Sequence, residues 1–228
     1  MDQNQVAELK HKIALSCRIL AKNRMADYLG HVSARIPGSD LILIKGHGLE
    51  AGDMAETVAE HIVTVDLDGH LLEGNFSVPY EFAIHGEVYR VRKDVMSVIH
   101  THQIWATVLG IVGLPILPVW HATQCAVAQG TIGLFDDPAL IITKEQGQGV
   151  AAELGKGIAC QLRGHGIVIV GDSVEGATIN AIALEKQAQL TYLASLLGQP
   201  KQIKEETNPV NSKKSVEGRW QFFVSQVS

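Results

Sequence analysis

Residues 79–110, "PYEFAIHGEVYRVRKDVMSVIHTHQIWATVLG", contain three predicted elements in direct succession. Pro79 favours the start of a helix, which we expect over 79–93. The short β-branched run at 95–100 predicts a strand, and 103–112 predicts a second helix. A buried strand between two helices is typical of a sheet that carries helices on its faces.

Two hairpins are predicted before this stretch. "PGSD" (37–40) is the turn between a strand ending near Ile36 and a strand through "LILI" (41–44), and "DLDGH" (66–70) is the turn of the second hairpin. Later strands are predicted at "ALIIT" (139–143) and "GIVIVG" (166–171). Helices are expected over the following segments: 4–23, 145–158 and, capped by Ser173, 174–198.

The composition indicates one globular domain. The chain has 228 residues, of which 46% are hydrophobic, and a net charge of −5, which argues against nucleic-acid binding. The polar start and the lack of an apolar run of ~20 residues predict a cytoplasmic protein without a membrane span. Three cysteines without close pairing indicate buried thiols. We expect a domain over 1–199 and, over 200–228, a linker and an aromatic tail at a subunit interface.

His100 and His102 stand at the end of the predicted strand at 95–100. Side chains at i and i+2 of a strand point to the same face, about 6.5–7 Å apart along the chain. Two imidazoles in this arrangement can converge on one metal ion. They can equally be two polar residues at a strand end, and the spacing alone does not decide between these readings.

Three more residues are candidates for the same site. His165 lies between Gly164 and Gly166 at the start of a predicted strand, where glycines permit close backbone approach. Glu81 falls in the first turn of the helix beginning at Pro79, a position that the helix dipole favours for acids in any case. His85, one turn later, is expected to hydrogen-bond locally.

The chain resembles the class II aldolase/adducin family over residues 5–198. The matching stretches are "GHVSARIPG" (30–38), 79–110 and "LRGHGIVIVGDSVEGA" (162–177). The resemblance implies a single-domain α/β/α sandwich with a mostly antiparallel central sheet. It also implies a homotetramer with sites at subunit boundaries and one divalent ion per subunit. The implied site residues are one acid/base residue, Glu81, and three metal ligands, His100, His102 and His165.

The chain departs from the family's sugar-phosphate aldolases in three turns that hold the substrate phosphate. Small polar residues there are replaced by "GHVS" (30–33), "KGHG" (45–48) and "VPYE" (78–81). Ser33 keeps its hydroxyl, but Val78 and Pro79 donate nothing, and a phosphate dianion needs several donors. Lys45 or Arg35 could compensate, so cleavage of a sugar phosphate remains an alternative.

Other features resemble the family's aromatic-acid decarboxylase branch, which includes enzymes similar to 3-hydroxy-2-methylpyridine-4,5-dicarboxylate decarboxylase and dihydroxyphthalate decarboxylase. These features are "GHVSAR", the helix near 145–158 and "GRWQFF" (218–223). We therefore expect metal-dependent decarboxylation of a hydroxylated aromatic acid. Zinc or manganese is the expected metal, with iron, cobalt or magnesium as alternatives.

Roles follow for the remaining candidates. His31 is expected to be catalytic together with Glu81. The expected substrate contacts are Ser33, Arg35 and Lys45, with a simple surface ion pair as the alternative for Arg35. Four further residues either shape the neighbouring subunit's side of the pocket or simply pack: Trp120, His121, Arg219 and Trp220.

Competing functions remain open at this point. A sugar-phosphate dehydratase and a ferrous oxygenase are further enzyme alternatives. A non-catalytic, adducin-like interaction module is the alternative from another class, but such a module is expected to lack the ligand set that this chain keeps.

Overall fold

A computed structural model describes residues 3–26, 29–121, 125–128, 130, 132–203 and 213–227. The helices in these ranges are α1 (Gln3–Lys22), α2 (Phe82–Val91), α3 (Ile104–Ile111), α4 (Lys144–Leu154), α5 (Val174–Ser195) and α6 (Lys213–Val224). The strands are β1 (His31–Arg35), β2 (Ile42–Lys45), β3 (Ile62–Val65), β4 (Leu71–Glu73), β5 (Ser97–Thr101), β6 (Gly133–Phe135), β7 (Ala159–Leu162) and β8 (Gly166–Gly171). Short 3₁₀ turns connect some of them.

The strands form one sheet in the order β4-β3-β2-β1-β5-β8-β7-β6. Its described pairs are antiparallel except β6–β7, which is parallel. Both predicted hairpins are present, β1–β2 around 37–40 and β3–β4 around 66–70. The predicted mostly antiparallel sheet is confirmed.

Alternate residues of the central strands pack into two separate apolar layers, one on each face of the sheet. In β2, Leu43 packs with α1, α3 and α5, whereas its neighbours Ile42 and Ile44 pack with α2 and α4. Because side chains alternate across a strand, a strand covered on both faces is apolar throughout. The molecule is therefore an α/β/α sandwich, as expected. Among the described residues, no helix is long and apolar enough to cross a membrane.

Several predicted boundaries were wrong. "ALIIT" (139–143) is not a strand but an extended segment that leads to α4, and the strand in this region is β6. The predicted helix at 79–93 begins later, at Phe82, because 79–81 form a turn. Neither β6 nor β7 was predicted.

The C-terminal aromatic segment is helix α6, which packs against the rest of the chain. Trp220 is only 3% exposed and clusters with Leu15 and Ile19 of α1. Phe222, in contrast, is 59% exposed. Much of the linker expected before this helix, 204–212, lies outside the described residues.

Candidate metal centre

His100 lies near the end of β5 and is fully buried on the sheet face covered by α2. Its Nδ1 lies 3.1 Å from the carbonyl oxygen of Ile167 on the neighbouring strand β8. A carbonyl accepts only from a protonated nitrogen, so this contact keeps the proton on Nδ1. Its Nε2 is buried and has no hydrogen-bond partner in the described parts of the chain. The strand thus presents a bare nitrogen lone pair to the site.

His102 follows β5 directly, and its ring centroid is 5.0 Å from that of His100. Gly166, the first residue of β8, permits this arrangement. A Cβ at Gly166 would lie 2.4 Å from the carbonyl oxygen of Thr101 and 3.1 Å from the His102 ring. The predicted convergence of the two histidines at the end of β5 is therefore present.

His165 enters from the turn between β7 and β8. Gly164 has a φ of +69°, in the left-handed region that favours glycine, and so lets the chain reverse over 163–165. The His165 ring centroid is 4.9 Å from that of His100 and 5.3 Å from that of His102. The distant "RGHG" motif thus supplies the third imidazole.

Glu81 occupies the N-cap position of α2, but its side chain makes no capping bond. Its Oε2 lies 3.6 Å from Nε2 of His100, and its Oε1 lies 3.4 Å from Nε2 of His165. Oε1 also accepts a hydrogen bond of 3.1 Å from the backbone N–H of Ile141. Burial raises the pKa of this carboxyl, whereas hydrogen bonds and charge from protonated His100 and His165 lower it below its usual range.

These four side chains form a set that could hold one metal ion. Each offers a ligand atom, and the atoms lie within 4.8 Å of one another for Glu81, His100, His102 and His165. Three imidazoles and a carboxylate suit zinc and related divalent metals. The fixed tautomer of His100 and its unpartnered Nε2 fit this use, since a neutral imidazole nitrogen is the ligand form.

A pocket of about 370 Å³ opens above this set. Its walls combine polar side chains with apolar ones and with backbone from two glycines. The lining residues are Leu29, Gly30, His31, His47, Tyr80, Glu81, His102, Pro138, Leu140, Gly164 and His165. The volume suits a small molecule of one ring with a few substituents.

His31 begins β1 and pairs directly with His100 across the two antiparallel strands. Directly paired residues project to the same face, and the two ring centroids are 5.5 Å apart. Burial lowers the pKa of His31 well below its usual range, and the nearby His100 and His85 rings lower it further. A neutral imidazole therefore lines the pocket beside the candidate metal ligands.

The structure does not bring the three expected substrate contacts to the pocket lining. The Ser33 hydroxyl is buried between His85 and Tyr89. The Arg35 guanidinium pairs with Asp40 and donates to the backbone carbonyl of Tyr89. These two side chains make contacts within the fold, and the ion pair expected as the alternative for Arg35 is present. Their contact with substrate stays a prediction.

Lys45 is the third of these residues and is only 3% exposed. Its Nζ donates to the carbonyl oxygens of Gly46 and Gly52, both at 3.1 Å. Burial lowers the pKa of its ammonium group. Its position supports a structural role, and it leaves no cation of β2 in the pocket lining.

Two polar pocket residues were not singled out from the sequence. His47 and Tyr80 line the pocket, with ring centroids 5.0 Å apart. The backbone N–H of His47 donates to the carbonyl oxygen of Ser77, which joins their two segments. Both residues lie in turns whose sequences depart from the phosphate-binding pattern of the aldolases. That departure was the sequence signal from which they could have been identified.

The residues expected near a neighbouring subunit lie elsewhere on the surface or in the core. Trp120 is held by Gln187 of α5, which accepts from its backbone N–H and donates to its carbonyl. His121 is exposed and has a positive φ of 51°. Arg219 and Trp220 belong to α6, where Trp220 is buried. For Trp220 the packing alternative is the one that the structure bears out.

Comparison with known proteins gives matches over most of the chain. The family model "Class II Aldolase and Adducin N-terminal domain" matches residues 11–192. A 3,4-dihydroxyphthalate decarboxylase of Arthrobacter keyseri is 32% identical over 201 residues, which cover 84% of this chain and 81% of the relative. A protein of the same name from a Terrabacter species is 31% identical, with coverages of 82% and 81%.

Solved structures match the fold as well. An L-fuculose 1-phosphate aldolase from Glaciozyma antarctica superposes with a TM-score of 0.82 and 21% identity. The match covers 97% of this chain and 88% of that one. At this level of identity the likeness concerns the fold.

Proposed function

Because the chain belongs to the class II aldolase and adducin family, we propose that it is a divalent-metal-dependent lyase that decarboxylates a hydroxylated aromatic carboxylic acid. The observation that carries this proposal is the convergence of Glu81 and three histidines beside a one-ring pocket. Two relatives more than 30% identical over most of their length, both named 3,4-dihydroxyphthalate decarboxylase, support the choice of reaction.

His100, His102, His165 and Glu81 would hold the metal ion, for which we propose zinc or manganese. When bound, such an ion stabilises negative charge that develops on substrate oxygens. The proposed substrate therefore carries a ring hydroxyl next to the carboxylate that is lost as CO2. In such an acid the hydroxyl oxygen and a carboxylate oxygen are close enough to lie beside the same metal site.

Glu81 is the proposed acid and base. As a carboxylate beside His100 and His165, it accepts the proton of the ring hydroxyl. It then delivers that proton to the ring carbon bearing the carboxylate. The electron pair of the breaking carbon–carbon bond returns to the ring as CO2 leaves, and the product's phenolate oxygen regains a proton from water. The Ile141 N–H holds Oε1 during these transfers.

The pocket walls support an aromatic acid over a sugar phosphate. The three turns that would hold a phosphate contribute His31, His47 and Tyr80 to the lining, whereas a phosphate dianion needs several hydroxyl or backbone donors together. Imidazole and phenol rings pack well against a flat ring and can still donate to a carboxylate. Sugar-phosphate cleavage stays as the alternative outcome of the test.

A screen of ortho-hydroxy aromatic acids for CO2 release, with Zn, Mn, Fe, Co or Mg supplied in turn, tests the proposal. We expect metal-dependent CO2 release from at least one benzene or pyridine acid, which mass spectrometry of the ring product would verify. Rapid release of dihydroxyacetone phosphate from a ketose 1-phosphate, with no CO2 from any aromatic acid, would instead assign the chain as an aldolase. Inactivity in both assays would favour the adducin-like alternative.

We also propose that the protein is a homotetramer with its sites at subunit boundaries. Exposed apolar side chains near the pocket mouth support an interface there, since Leu140 is 52% and Ile142 57% exposed. Light scattering at micromolar concentration should give about four times the 24.6 kDa subunit mass. A monomeric mass under these conditions contradicts the proposal.

A cytoplasmic location completes the proposal. The thiols of Cys17 and Cys160 are free and buried, as expected for a protein from a reducing compartment. The third cysteine, Cys125, has a side chain outside the described residues. In the cytoplasm the enzyme would act in the breakdown of aromatic acids.

A further inference from the structure

We infer that His85 is a positioning residue that sets the orientation and tautomer of His31 through a buried hydrogen-bonded chain, Tyr89–Ser33–His85–His31. This inference rests on the proposed function, because it assigns His31 a task in the substrate pocket. The hydrogen-bonded chain begins outside the candidate metal set, on the face of α2 that packs against β1.

The hydrogen-bonded chain forms because strand spacing in β1 and helix spacing in α2 place polar side chains on facing surfaces. His31 and Ser33 are two residues apart in β1 and project to the same face. His85 and Tyr89 are one turn apart in α2, which covers that face. The Ser33 hydroxyl lies 2.7 Å from Nδ1 of His85 and 2.8 Å from the hydroxyl of Tyr89. Three polar side chains are thereby joined inside an apolar layer.

Two unpartnered nitrogens indicate the last link of the hydrogen-bonded chain, between His85 and His31. Nε2 of His85 and Nδ1 of His31 are both buried, and neither has a hydrogen-bond partner among the described residues. The two ring centroids are 5.6 Å apart with the rings nearly edge to face. A buried polar atom left unpaired destabilises the folded state. A buried water between the two nitrogens, hydrogen-bonded to each, satisfies both.

The direction of the chain follows from proton counts. Burial raises the pKa of Tyr89, so its hydroxyl keeps its proton and donates to Ser33. The single Ser33 proton goes to the contact of 2.7 Å with Nδ1 of His85, in preference to the Val98 carbonyl at 3.3 Å. Burial lowers the pKa of His85 to about 3, so its ring is neutral and carries one proton.

The assignment that fits the short Ser33 contact places this proton on Nε2 of His85, with Nδ1 accepting from Ser33. Nε2 then donates through the buried water to Nδ1 of His31. The proton of neutral His31 is therefore on its own Nε2, the nitrogen left for the pocket. His31 accordingly meets the substrate as a hydrogen-bond donor, suited to a carboxylate oxygen, and His85 acts only through it.

The test compares His85→Leu with His85→Gln, each made in the wild-type chain and in a His31→Leu chain. Glutamine retains a side-chain donor and acceptor of similar reach, whereas leucine has neither. We expect His85→Leu to lower kcat by about 10-fold to 100-fold, as for other partners of site residues. The metal content should stay unchanged, and His85→Gln should recover part of the rate. In the His31→Leu chain, neither substitution of His85 should lower kcat any further.

A second readout does not depend on activity. Ring-¹⁵N spectra of the zinc-loaded protein should assign the proton of His31 to Nε2 in the wild type and to a mixture of both nitrogens in His85→Leu. Ser33→Ala, which leaves α2 intact, should produce the same mixture if His85→Leu does not fold.

The outcomes separate this inference from the proposed function. An unchanged His31 tautomer in both variants, or an equal rate loss in the His31→Leu chain, overturns the role of His85. If the wild type releases no CO2 from any aromatic acid, the proposed reaction fails, and the ¹⁵N spectra still decide whether His85 positions His31.

Discussion

Replacing His102 by alanine should empty the metal site and abolish metal-dependent CO2 release. His102 contributes one of the four ligand atoms that lie within 4.8 Å of one another, and its ring is close to both other imidazoles. Losing it leaves three donors and removes several kcal/mol of charge stabilisation, equivalent to about 10³-fold or more in rate. Elemental analysis of the purified variant, together with the CO2 assay, measures both effects.

His70→Ala is the matched control for this substitution. His70 lies in the turn between β3 and β4, where its ring contacts Asp66 at the surface. The same chemical change there should leave metal content and rate at wild-type values. Full metal occupancy in His102→Ala would remove His102 from the ligand set and would contradict the proposed centre.

Glu81→Gln should lower kcat by about 10²-fold to 10⁴-fold, the usual contribution of a positioned acid or base. The amide oxygen of glutamine can still accept from the Ile141 N–H, so the pocket keeps its shape. An amide does not take up and release a proton at this position, so the transfer from hydroxyl to ring carbon is lost. Rates should be compared at equal metal occupancy, since Glu81 is also close to His100 and His165.

Glu60→Gln supplies the control, because Glu60 is an exposed carboxylate in a short 3₁₀ turn and does not line the pocket. It should leave kcat unchanged. If Glu81→Gln retains wild-type kcat with a full complement of metal, Glu81 does not move the proton, and His31 becomes the remaining candidate.

The helices and hairpins with strong local signals could be predicted from the sequence. The α1 periodicity, the turn at 37–40 and the Ser173 cap each depend on neighbours along the chain, and each is present. The segment at 139–143 was predicted wrongly because an apolar, β-branched run satisfies the strand pattern. In the structure this run follows β6 and leads to α4 without strand pairing, and its Ile141 N–H donates to Glu81.

The candidate metal ligands could be predicted from the sequence more completely than the residues that line the substrate pocket. His100 and His102 are close in sequence on one strand, so their proximity follows from strand geometry. Glu81 and His165 were assigned through resemblance to the family, and the structure brings all four side chains together. Whether they bind metal stays a prediction. His47 and Tyr80 were missed, since nothing in the local sequence indicates which loop side chains meet at a pocket.

By itself, the sequence determined the α/β class, the two hairpins and the pair of histidines, because these depend on local periodicity and turn chemistry. Only the tertiary structure decided that Ser33 is enclosed by α2 and that Lys45 is tied to backbone carbonyls. It alone placed the His31 ring beside that of His85 and brought Glu81 to the histidines. The reason is physical: a polar side chain's role depends on which partners and how much water reach it. Packing between elements distant in the chain sets both.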